Sequence, residues 1–430
     1  MDPAMEQRSR GNHRFRTFAA VMHATSSDRT RVILVLGMLM TISPFAIDMY
    51  LPAFGQIATE LGTTPSRVSL SVASYFVGLA IGQLMYGPML DRFGRRRPLY
   101  AGLVLFMVAS LFCASAESIG ALIAARFFQA LGGCVAWVGA ASMVRDFFPV
   151  REAPKVFSLL VLILGVSPLI APTWGGFVAV SMGWRAIFFI LMAIAAVVLS
   201  AVVFFLPTTR EPDPEVDLRP LPLLRTFMSI LREPQFITYS LSGSLAFAAL
   251  FTYVSGSPVI FMEFYGLEPR AYGILFAAIS VGFIGSSQLN IWLIRHFPPD
   301  RIFSTVLPVQ VALGIGFVAS AFWNPPVEVT IAFIFLTMSC IGMLNPNAAA
   351  LALAPFTRNI GSASALSGFL QITLASLVSA IIGSVPDAGL LPFSVLISAS
   401  SLLAIGVLLV GRRFIRRLVV DDAVGEAVAH

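Results

Sequence analysis

Two charged residues, Asp48 and Arg126, lie in apolar stretches long enough to cross a membrane. Asp48 is the single charge within residues 32–59, and Arg126 is the single charge within residues 118–144. An ionisable group near the middle of a bilayer costs at least about 2.5–3.5 kcal/mol and usually faces a bundle interior or a water-filled cavity. A carboxyl can bind and release a proton, whereas a guanidinium stays charged. We therefore expect these two side chains to carry the function.

The rest of the chain must supply the elements that position them. The 430 residues are 57% hydrophobic and 12% charged, whereas a soluble domain has about 25% charged residues. Apolar runs of about 20 residues recur, each long enough to cross the hydrocarbon core as a helix, without the alternation of barrel strands. The sequence thus predicts an all-α membrane protein with twelve transmembrane helices. The predicted spans are 32–55, 68–90, 98–116, 119–143, 155–180, 185–206, 236–262, 270–294, 302–322, 327–352, 360–384 and 390–411.

The distribution of basic residues predicts the orientation of these spans. Of the 28 Lys and Arg residues, 24 fall on the side that carries both termini, three fall on the other side, and Arg126 lies within a span. Cytoplasmic loops are enriched in Lys and Arg, so both termini are expected to be cytoplasmic. The net charge of +6 is explained by topology, and no nucleic-acid partner is expected.

The longest internal polar stretch, residues 207–235, divides the spans into two sets of six. The predicted organisation is a cytoplasmic N-tail (1–31), a first half (32–206), this linker, a second half (236–411) and a cytoplasmic C-tail (412–430). Within the linker, the apolar spacing around residues 224–231 is typical of a short helix on the membrane surface, although a simple tether fits equally well. A weak repeat aligns Pro52 with Pro258 and Asp48 with Val254.

Other chemistries have little support in the sequence. The three cysteines lie in apolar spans, and none of the four histidines lies in the middle of one. Metal sites, disulfides and histidine-based catalysis are therefore not expected, and neither is a cofactor. An enzyme would need several catalytic groups at one depth, and only Asp48 and Arg126 qualify. A non-transporting sensor would usually carry an appended domain, and both tails are short.

The loop after span 2 carries the most specific motif. Residues 87–97 read Gly-Pro-Met-Leu-Asp-Arg-Phe-Gly-Arg-Arg-Arg, with Gly87, Asp91, Arg92, Gly94, Arg95 and Arg96 as its key positions. Between the second and third of twelve spans, this segment resembles the G-x-x-x-D-R-x-G-R-R signature of the major facilitator superfamily. The resemblance implies two six-helix halves with a substrate cavity between them.

Three further segments narrow the resemblance. Arg126 to Gly132 is similar to the R-x-x-Q-G motif of span 4, with Ala130 at the first glycine. Residues 165–176 resemble the antiporter motif of span 5, with Ala171 in place of a glycine. Its candidate residues are Gly165, Pro168, Pro172, Gly175 and Gly176. Together with Asp48-Met49-Tyr50-Leu51-Pro52 in span 1, these segments resemble the Bcr/CflA-type drug:proton antiporters, the bicyclomycin and chloramphenicol resistance group.

The resemblance implies proton-driven efflux of small, largely apolar drugs across the bacterial inner membrane by a functional monomer. Asp48 would carry the proton and Arg126 would tune it. The residues alone leave a static ion pair between them open, because both lie about 10–12 Å below the outer surface. The resemblance also implies a lock in which Asp91 meets the N-terminus of span 11 and Arg95 meets Asp146, with inward opening breaking these contacts.

The substrate cavity is expected to be mostly apolar and aromatic, with a few polar anchors. The candidate anchors are Tyr50, Tyr75, Gln129, Asn345, Asn347 and Gln371. For each of them, packing between helices is an equally good explanation. The nearest alternative function is a proton-coupled importer or exporter of a small metabolite on the same fold; the span 5 segment disfavours the importer.

Overall fold

The computed structural model describes residues 26–148, 153–207, 212, 220–356, 360–385, 389–415 and 418–419. Its helices are α1 (Ser26–Asp48), α2 (Phe54–Glu60), α3 (Pro65–Arg92), α4 (Arg96–Ala114), α5 (Ile119–Phe147), α6 (Ala153–Met182), α7 (Trp184–Phe205), α8 (Pro220–Leu231), α9 (Pro234–Pro258), α10 (Pro269–Leu293), α11 (Pro299–Ala321), α12 (Val327–Leu353), α13 (Ile360–Ser384) and α14 (Leu390–Gly411). The described residues contain no strand.

Among the described residues, eleven segments are long and apolar enough to cross a membrane. The helix α6 coincides with the remaining predicted span, 155–180, although many of its side chains lie outside the description. Because lipid offers no hydrogen bonds to the backbone, apolar runs of this length fold as helices that satisfy their own amides. The predicted all-α membrane fold is confirmed. The predicted N-tail and most of the C-tail lie outside the described residues.

The helices pack as two bundles. In the first, α1 packs on α5, α6 and α7, while α3 and α4 both pack on α5. In the second, α9 packs on α12, α13 and α14, and α11 packs on α12 and α14. The short helix α8, within the predicted linker, contacts α9 and α13.

We call the end of the bundle with the loop between α3 and α4 the inner end, following the arginine distribution. The bundles meet mainly through the pairs α3–α13 and α6–α10. At the outer end, the 3₁₀ turn Leu51–Ala53 contacts α9 and α10, and α2 contacts the π-helix Val259–Phe264. In contrast, α5 and α12 share no substantial contact among the described residues. The structure is therefore closed at its outer end.

Two irregular segments face each other at this closed end. The helix α1 ends at Asp48 and is followed by the turn Leu51–Ala53, whereas α9 ends at Pro258 and continues as a π-helix. A crevice of about 350 Å³ lies between them and is lined by both Pro52 and Pro258. The two prolines aligned in the sequence repeat thus border one space. Irregular backbone at membrane depth is tolerated where it is buried in protein or borders a cavity.

Candidate functional site

The end of α1 is the centre of the candidate site. The amide of Met49 bonds to the carbonyl of Phe45 (3.1 Å), but the amide of Tyr50 bonds to Ile47 (3.3 Å). The carbonyl of Ala46 therefore loses the partner that a continuing helix would give it. The guanidinium of Arg126, on α5, takes that place and donates through Nη1 to the Ala46 oxygen at 3.0 Å. A basic side chain that bonds the last carbonyls is a favourable helix end.

Arg126 is fully buried and is held on several sides. Its carbon Cζ lies 4.7 Å from the ring centroid of Tyr50, 4.3 Å from that of Tyr75 and 5.9 Å from that of Phe188. Nη1 also donates to Oε1 of Gln129 at 2.6 Å. Aromatic faces attract a cation, and the attraction grows when water is excluded. These contacts offset part of the cost of burying the charge, while Nε and Nη2 of Arg126 have no hydrogen-bond partner among the described residues.

The polar residues around Arg126 are bonded in turn. Gln129 donates through Nε2 to Ser110 Oγ at 2.8 Å, and the hydroxyls of Tyr50 and Ser71 lie 2.9 Å apart. Tyr50, Tyr75 and Gln129 are all fully buried. In this conformation they surround Arg126 inside the first half, and their contact with a substrate stays a prediction.

Asp48 and Arg126 are not joined. No ion pair or hydrogen bond to the Asp48 carboxyl is found among the described residues. The side chain is nevertheless buried, with 7% of the residue exposed. The turn that follows Asp48, Leu51–Ala53, contacts α9 and α10 of the second half. Asp48 therefore lies next to the segment that meets the second half, whereas Arg126 is surrounded by residues of the first half.

The loop between α3 and α4 holds a second cluster of charges. Arg95 donates through Nε to Asp146 at 2.8 Å and through Nη1 to Asp91 at 2.9 Å. Gly94 has a φ of +78°, a conformation that favours glycine and lets the chain reverse within the loop. Arg96 donates to the carbonyl oxygen of Leu206, where α7 ends. The loop is thus tied to α5 and to the end of α7.

Arg95 lies next to Asp146, as the resemblance implies, and the lock itself stays a prediction. Both residues belong to the first half, and they remain bonded while the outer end is closed. The breaking of this contact on inward opening stays a prediction. Residues 357–359, just before α13, lie outside the described residues. The expected contact of Asp91 with that helix end is untested.

The glycine-rich part of α6 packs where the two halves meet. A Cβ atom at Gly175 would collide with the backbone oxygen of Met49, the residue after Asp48. A Cβ at Gly176 would lie 2.6 Å from the oxygen of Pro269, at the start of α10. The same close contact is seen from α10, where a Cβ at Gly273 would lie 2.7 Å from the backbone oxygen of Pro172 on α6. Small residues here allow α6 to touch both α10 and the break in α1.

The other candidate residues of this helix lie along its length. Pro168 is half-buried and Pro172 is buried, and both are inside the helix. The surroundings of Gly165 lie outside the description. A Cβ at Gly87, in the loop motif, would meet nothing within 4 Å. The space around Gly87 gives no packing reason for a glycine in this conformation.

The second half contributes two pairs of amide side chains. Gln371 on α13 donates to Asn345 on α12 at 2.9 Å, and both residues are half-exposed. Asn347 donates to Asn290 on α10 at 2.7 Å, and both of these are buried. No group of His, Cys, Asp or Glu residues in the described part of the chain is arranged to hold a metal ion.

The comparison with known families decides the classification. The sequence profile of the Major Facilitator Superfamily matches residues 36–383, which is most of the chain. The chain belongs to the Major Facilitator Superfamily. It is accordingly a membrane transporter and not an enzyme.

Named relatives within the superfamily cover most of the chain. The uncharacterized MFS-type transporter YdgK of Bacillus subtilis (strain 168) is 34% identical over 84% of this chain and 90% of its own. The bicyclomycin resistance protein homolog of Haemophilus influenzae is 28% identical over 82% of this chain and 88% of its own. The multidrug resistance protein MdtL of Shigella flexneri serotype 5b is 29% identical over 80% and 87%.

Solved structures of the superfamily share the fold at low identity. The D-xylose–proton symporter superposes with a TM-score of 0.72 at 15% identity, covering 88% of this chain and 97% of that one. A bacterial homologue of the human lysosomal transporter Spinster, in an inward-facing and occupied conformation, gives a TM-score of 0.69 at 14% identity and covers 91% and 97%. These likenesses support the architecture alone.

Several residues of the site were not predicted from the sequence. The superfamily motifs indicate Arg126, but its main partner, the backbone oxygen of Ala46, has no side-chain signal. Phe188 and Ser110 are ordinary apolar-span residues in the sequence.

Proposed function

We propose that this transporter exports small, largely apolar drugs from the cytoplasm in exchange for protons. The observation that carries the proposal is the position of Asp48. It is a buried carboxyl with no ion-pair partner among the described residues, at a break in α1 whose following turn contacts the second half. Ionisable residues inside the membrane usually mark ion or substrate pathways and proton relays. The relatives named for bicyclomycin and multidrug resistance support drugs as the substrate class.

The position of Arg126 strengthens this assignment. Its guanidinium is bonded to Ala46 and Gln129, and no ion pair joins it to Asp48 among the described residues. A carboxylate paired with an adjacent cation would strongly favour its charged form and would release a proton readily but take one up poorly. An unpaired carboxyl can exchange a proton according to whether water reaches it. Arg126 instead fixes the end of α1 on which Asp48 stands.

The proposed cycle starts from the cytoplasmic side. The drug enters the cavity while the outer end is closed, and Asp48 releases its proton inward. The loaded transporter then opens outward. The drug leaves, Asp48 binds a proton from outside, and the outer end closes again. The outer crevice is lined by Pro52, four residues beyond Asp48 in the chain.

The energy available fits an exporter. Moving one charge across the membrane supplies about 2.3 kcal/mol per 100 mV, and each pH unit adds about 1.4 kcal/mol. A single proton per cycle could therefore support a drug gradient of a few powers of ten. The half-exposed pair Asn345 and Gln371 offers polar anchors on the second half of the cavity.

The proposal also includes the membrane arrangement. Both termini and the linker 207–235 face the cytoplasm of a bacterial inner membrane, and the single chain is the transport unit. The halves at 32–206 and 236–411 each supply one wall of the cavity. Reporter fusions at either end should report a cytoplasmic location, and a periplasmic one would overturn the orientation.

The test of function is expression in an efflux-deficient bacterial host, followed by susceptibility measurements across chemically diverse drugs. Efflux predicts raised tolerance to a subset of apolar compounds, together with drug-dependent proton release from energised everted vesicles. An unchanged susceptibility across the panel, with the protein present in the membrane, would contradict drug export. Accumulation of a metabolite in cells, without drug tolerance, would favour an importer.

A further inference from the structure

The chain that follows α14 folds back on the inner end of the second half. It first makes a 3₁₀ turn, Arg412–Phe414, which contacts α9. Of the residues beyond this turn, the structure describes Ile415, Leu418 and Val419. The side chains of Ile415 and Leu418 pack against the hydrophobic core of the second half. We call the described residues 412–415 and 418–419 the tail strap; the proposed cycle gives it no role.

Gln235 holds the tail strap by its backbone. Gln235 is the second residue of α9 and is 2% exposed. Its Nε2 donates to the backbone oxygen of Val419 at 2.8 Å, and its Oε1 accepts from the backbone amide of Val419 at 2.9 Å. The buried side chain thus bonds the backbone of one residue in both directions. Val419 itself is 44% exposed, so the attachment is made through its backbone.

The same amide group of Gln235 bonds the end of α12. Its Nε2 also donates to the backbone oxygen of Leu351 at 2.9 Å. In a regular helix that oxygen would accept from the amide of residue 355, but Pro355 has no N–H. The amide of Ala354 bonds instead to the oxygen of Ala350 at 3.1 Å. Gln235 therefore supplies the donor that Pro355 cannot supply, and both N–H groups of its amide are used.

Arg412 makes a second attachment, at the start of the tail strap. Its Nη2 donates to the hydroxyl of Tyr239 at 3.3 Å and to the hydroxyl of Ser304. Tyr239 lies one helical turn after Gln235 on α9, and Ser304 lies near the start of α11. The tail strap is therefore bonded to α9 at two points, to α11 through Arg412, and to α12 through Gln235.

These helix ends lie where the second half must move. The helices α5 and α12 share no substantial contact among the described residues, and the structure is closed at its outer end. Alternating access in transporters of two repeats is largely the rocking of one rigid half against the other. A helix end whose carbonyl lacks a partner frays. The bond from Gln235 to Leu351 removes that weakness at the inner end of α12.

We propose that the tail strap holds the inner ends of α9, α11 and α12 together, so that this end of the second half moves as one body. Gln235 is the positioning residue of this arrangement, because it joins the strap to both α9 and α12. The inference goes beyond the proposed function, since the strap would act in the same way for any cargo and any coupling ion.

The test uses the fact that Gln235 binds a backbone group. Val419→Pro removes the N–H that Gln235 accepts from, whereas Val419→Ala keeps it. Hydrogen exchange is followed in the full chain in detergent, in residues 412–418 and in residues 350–356 at the end of α12. Val419→Pro should raise exchange in both segments about three- to thirtyfold, as expected when one or two hydrogen bonds are lost. Val419→Ala should leave both segments unchanged.

Variants of Gln235 show whether the effect passes through its amide. Gln235→Leu should raise exchange in the same two segments, and adding Val419→Pro should raise exchange in residues 412–418 no further. Gln310→Leu is the matched control, because Gln310 is a fully buried amide on α11 that donates to the backbone oxygen of Ala246 at 3.0 Å. It should leave both segments unchanged.

Two outcomes would overturn the proposal. Equal exchange in Val419→Pro and Val419→Ala would show that Gln235 does not hold the strap. A rise in Val419→Pro that is confined to residues 412–418 would show that Gln235 caps α12 without help from the strap. Because Val419 is exposed, its variants decide the matter even if Gln235→Leu fails to fold.

A transport measurement separates a moving part from a static brace. In everted vesicles, Val419→Pro should lower the maximal rate of drug transport and leave the drug concentration for half-maximal transport unchanged, because it affects the movement of the second half. An unchanged maximal rate would overturn the role in movement. This measurement rests on the proposed function, whereas hydrogen exchange does not. If the parent protein transports no drug, the proposed function is wrong and the exchange results still decide whether the strap exists.

Discussion

Arg126 donates a hydrogen bond to the backbone oxygen of Ala46 across 3.0 Å, and this bond separates two roles that the sequence had combined. The pair Asp48 and Arg126 suggested either a static ion pair or a proton site tuned by a cation. In the structure the arginine completes the broken end of α1. The carboxyl belongs to Asp48, two residues further on, just before the turn Leu51–Ala53 that contacts the second half. A fixed end of α1 and a carboxyl with no ion-pair partner among the described residues both suit a residue that must bind and release a proton.

Asp48→Asn should abolish coupling while leaving the fold intact. The amide fits the same space but cannot release a proton, so drug-dependent proton release from everted vesicles should fall to background. Glu117→Gln is the matched control, because it neutralises an exposed acid outside the site. Proton release that survives unchanged in Asp48→Asn would show that another group carries the proton.

Arg126→Lys should impair transport despite keeping the charge. A lysine ammonium cannot bond to Ala46 and Gln129 while stacking between two tyrosine rings, since it lacks the planar fork. The loss of one charged hydrogen bond costs about 1.5–3 kcal/mol, so drug transport should fall by about tenfold or more. Arg67→Lys changes an exposed arginine in the same half and serves as the control. Equal transport rates in the two variants would argue against the clamp on α1.

Much of the fold could be predicted from the sequence, because in lipid an apolar run of about 20 residues has few alternatives to a helix. The same argument fails at the interruptions. The break after Asp48 depends on a backbone oxygen, Ala46, and on an arginine 80 residues away. Pro52 hints at an interruption, but no local pattern indicates what stabilises it.

The candidate residues show a similar limit. Tyr50, Tyr75 and Gln129 are polar residues in apolar spans, which is typical both of cavity walls and of internal hydrogen-bond partners. The sequence alone could not distinguish a cavity-wall residue from an internal hydrogen-bond partner, because that depends on which face of each helix meets Arg126. Asp146 is the opposite case: the family resemblance implied its contact with Arg95, and the two side chains are bonded at 2.8 Å.

Asp146→Asn should weaken the inner-end cluster. Arg95 is 6% exposed and shares its charge between Asp146 and Asp91, so the loss of one carboxylate should cost about 1–3 kcal/mol. The midpoint of thermal unfolding in detergent should fall, and transport should fall.

Asp91→Asn should reduce transport with insertion into the membrane unaffected. Asp300→Asn, at the start of α11, controls for a change in net charge. Full transport in both Asp146→Asn and Asp91→Asn would rule out a lock built on this cluster.

Gly175→Ala should destabilise the transporter, although alanine normally favours a helix by about 0.5–1 kcal/mol over glycine. The added methyl group would collide with the backbone oxygen of Met49, next to Asp48. Backbone cannot rotate away as a side chain can, so overpacking should cost about 1–3 kcal/mol.

Gly120→Ala is the matched control on α5, because a Cβ there meets nothing within 4 Å. The midpoint of thermal unfolding should fall for Gly175→Ala and stay level or rise for Gly120→Ala. Proton release should also fall in Gly175→Ala, since displacement of Met49 moves Asp48. Equal midpoints and equal proton release would mean that α6 does not hold the break in α1.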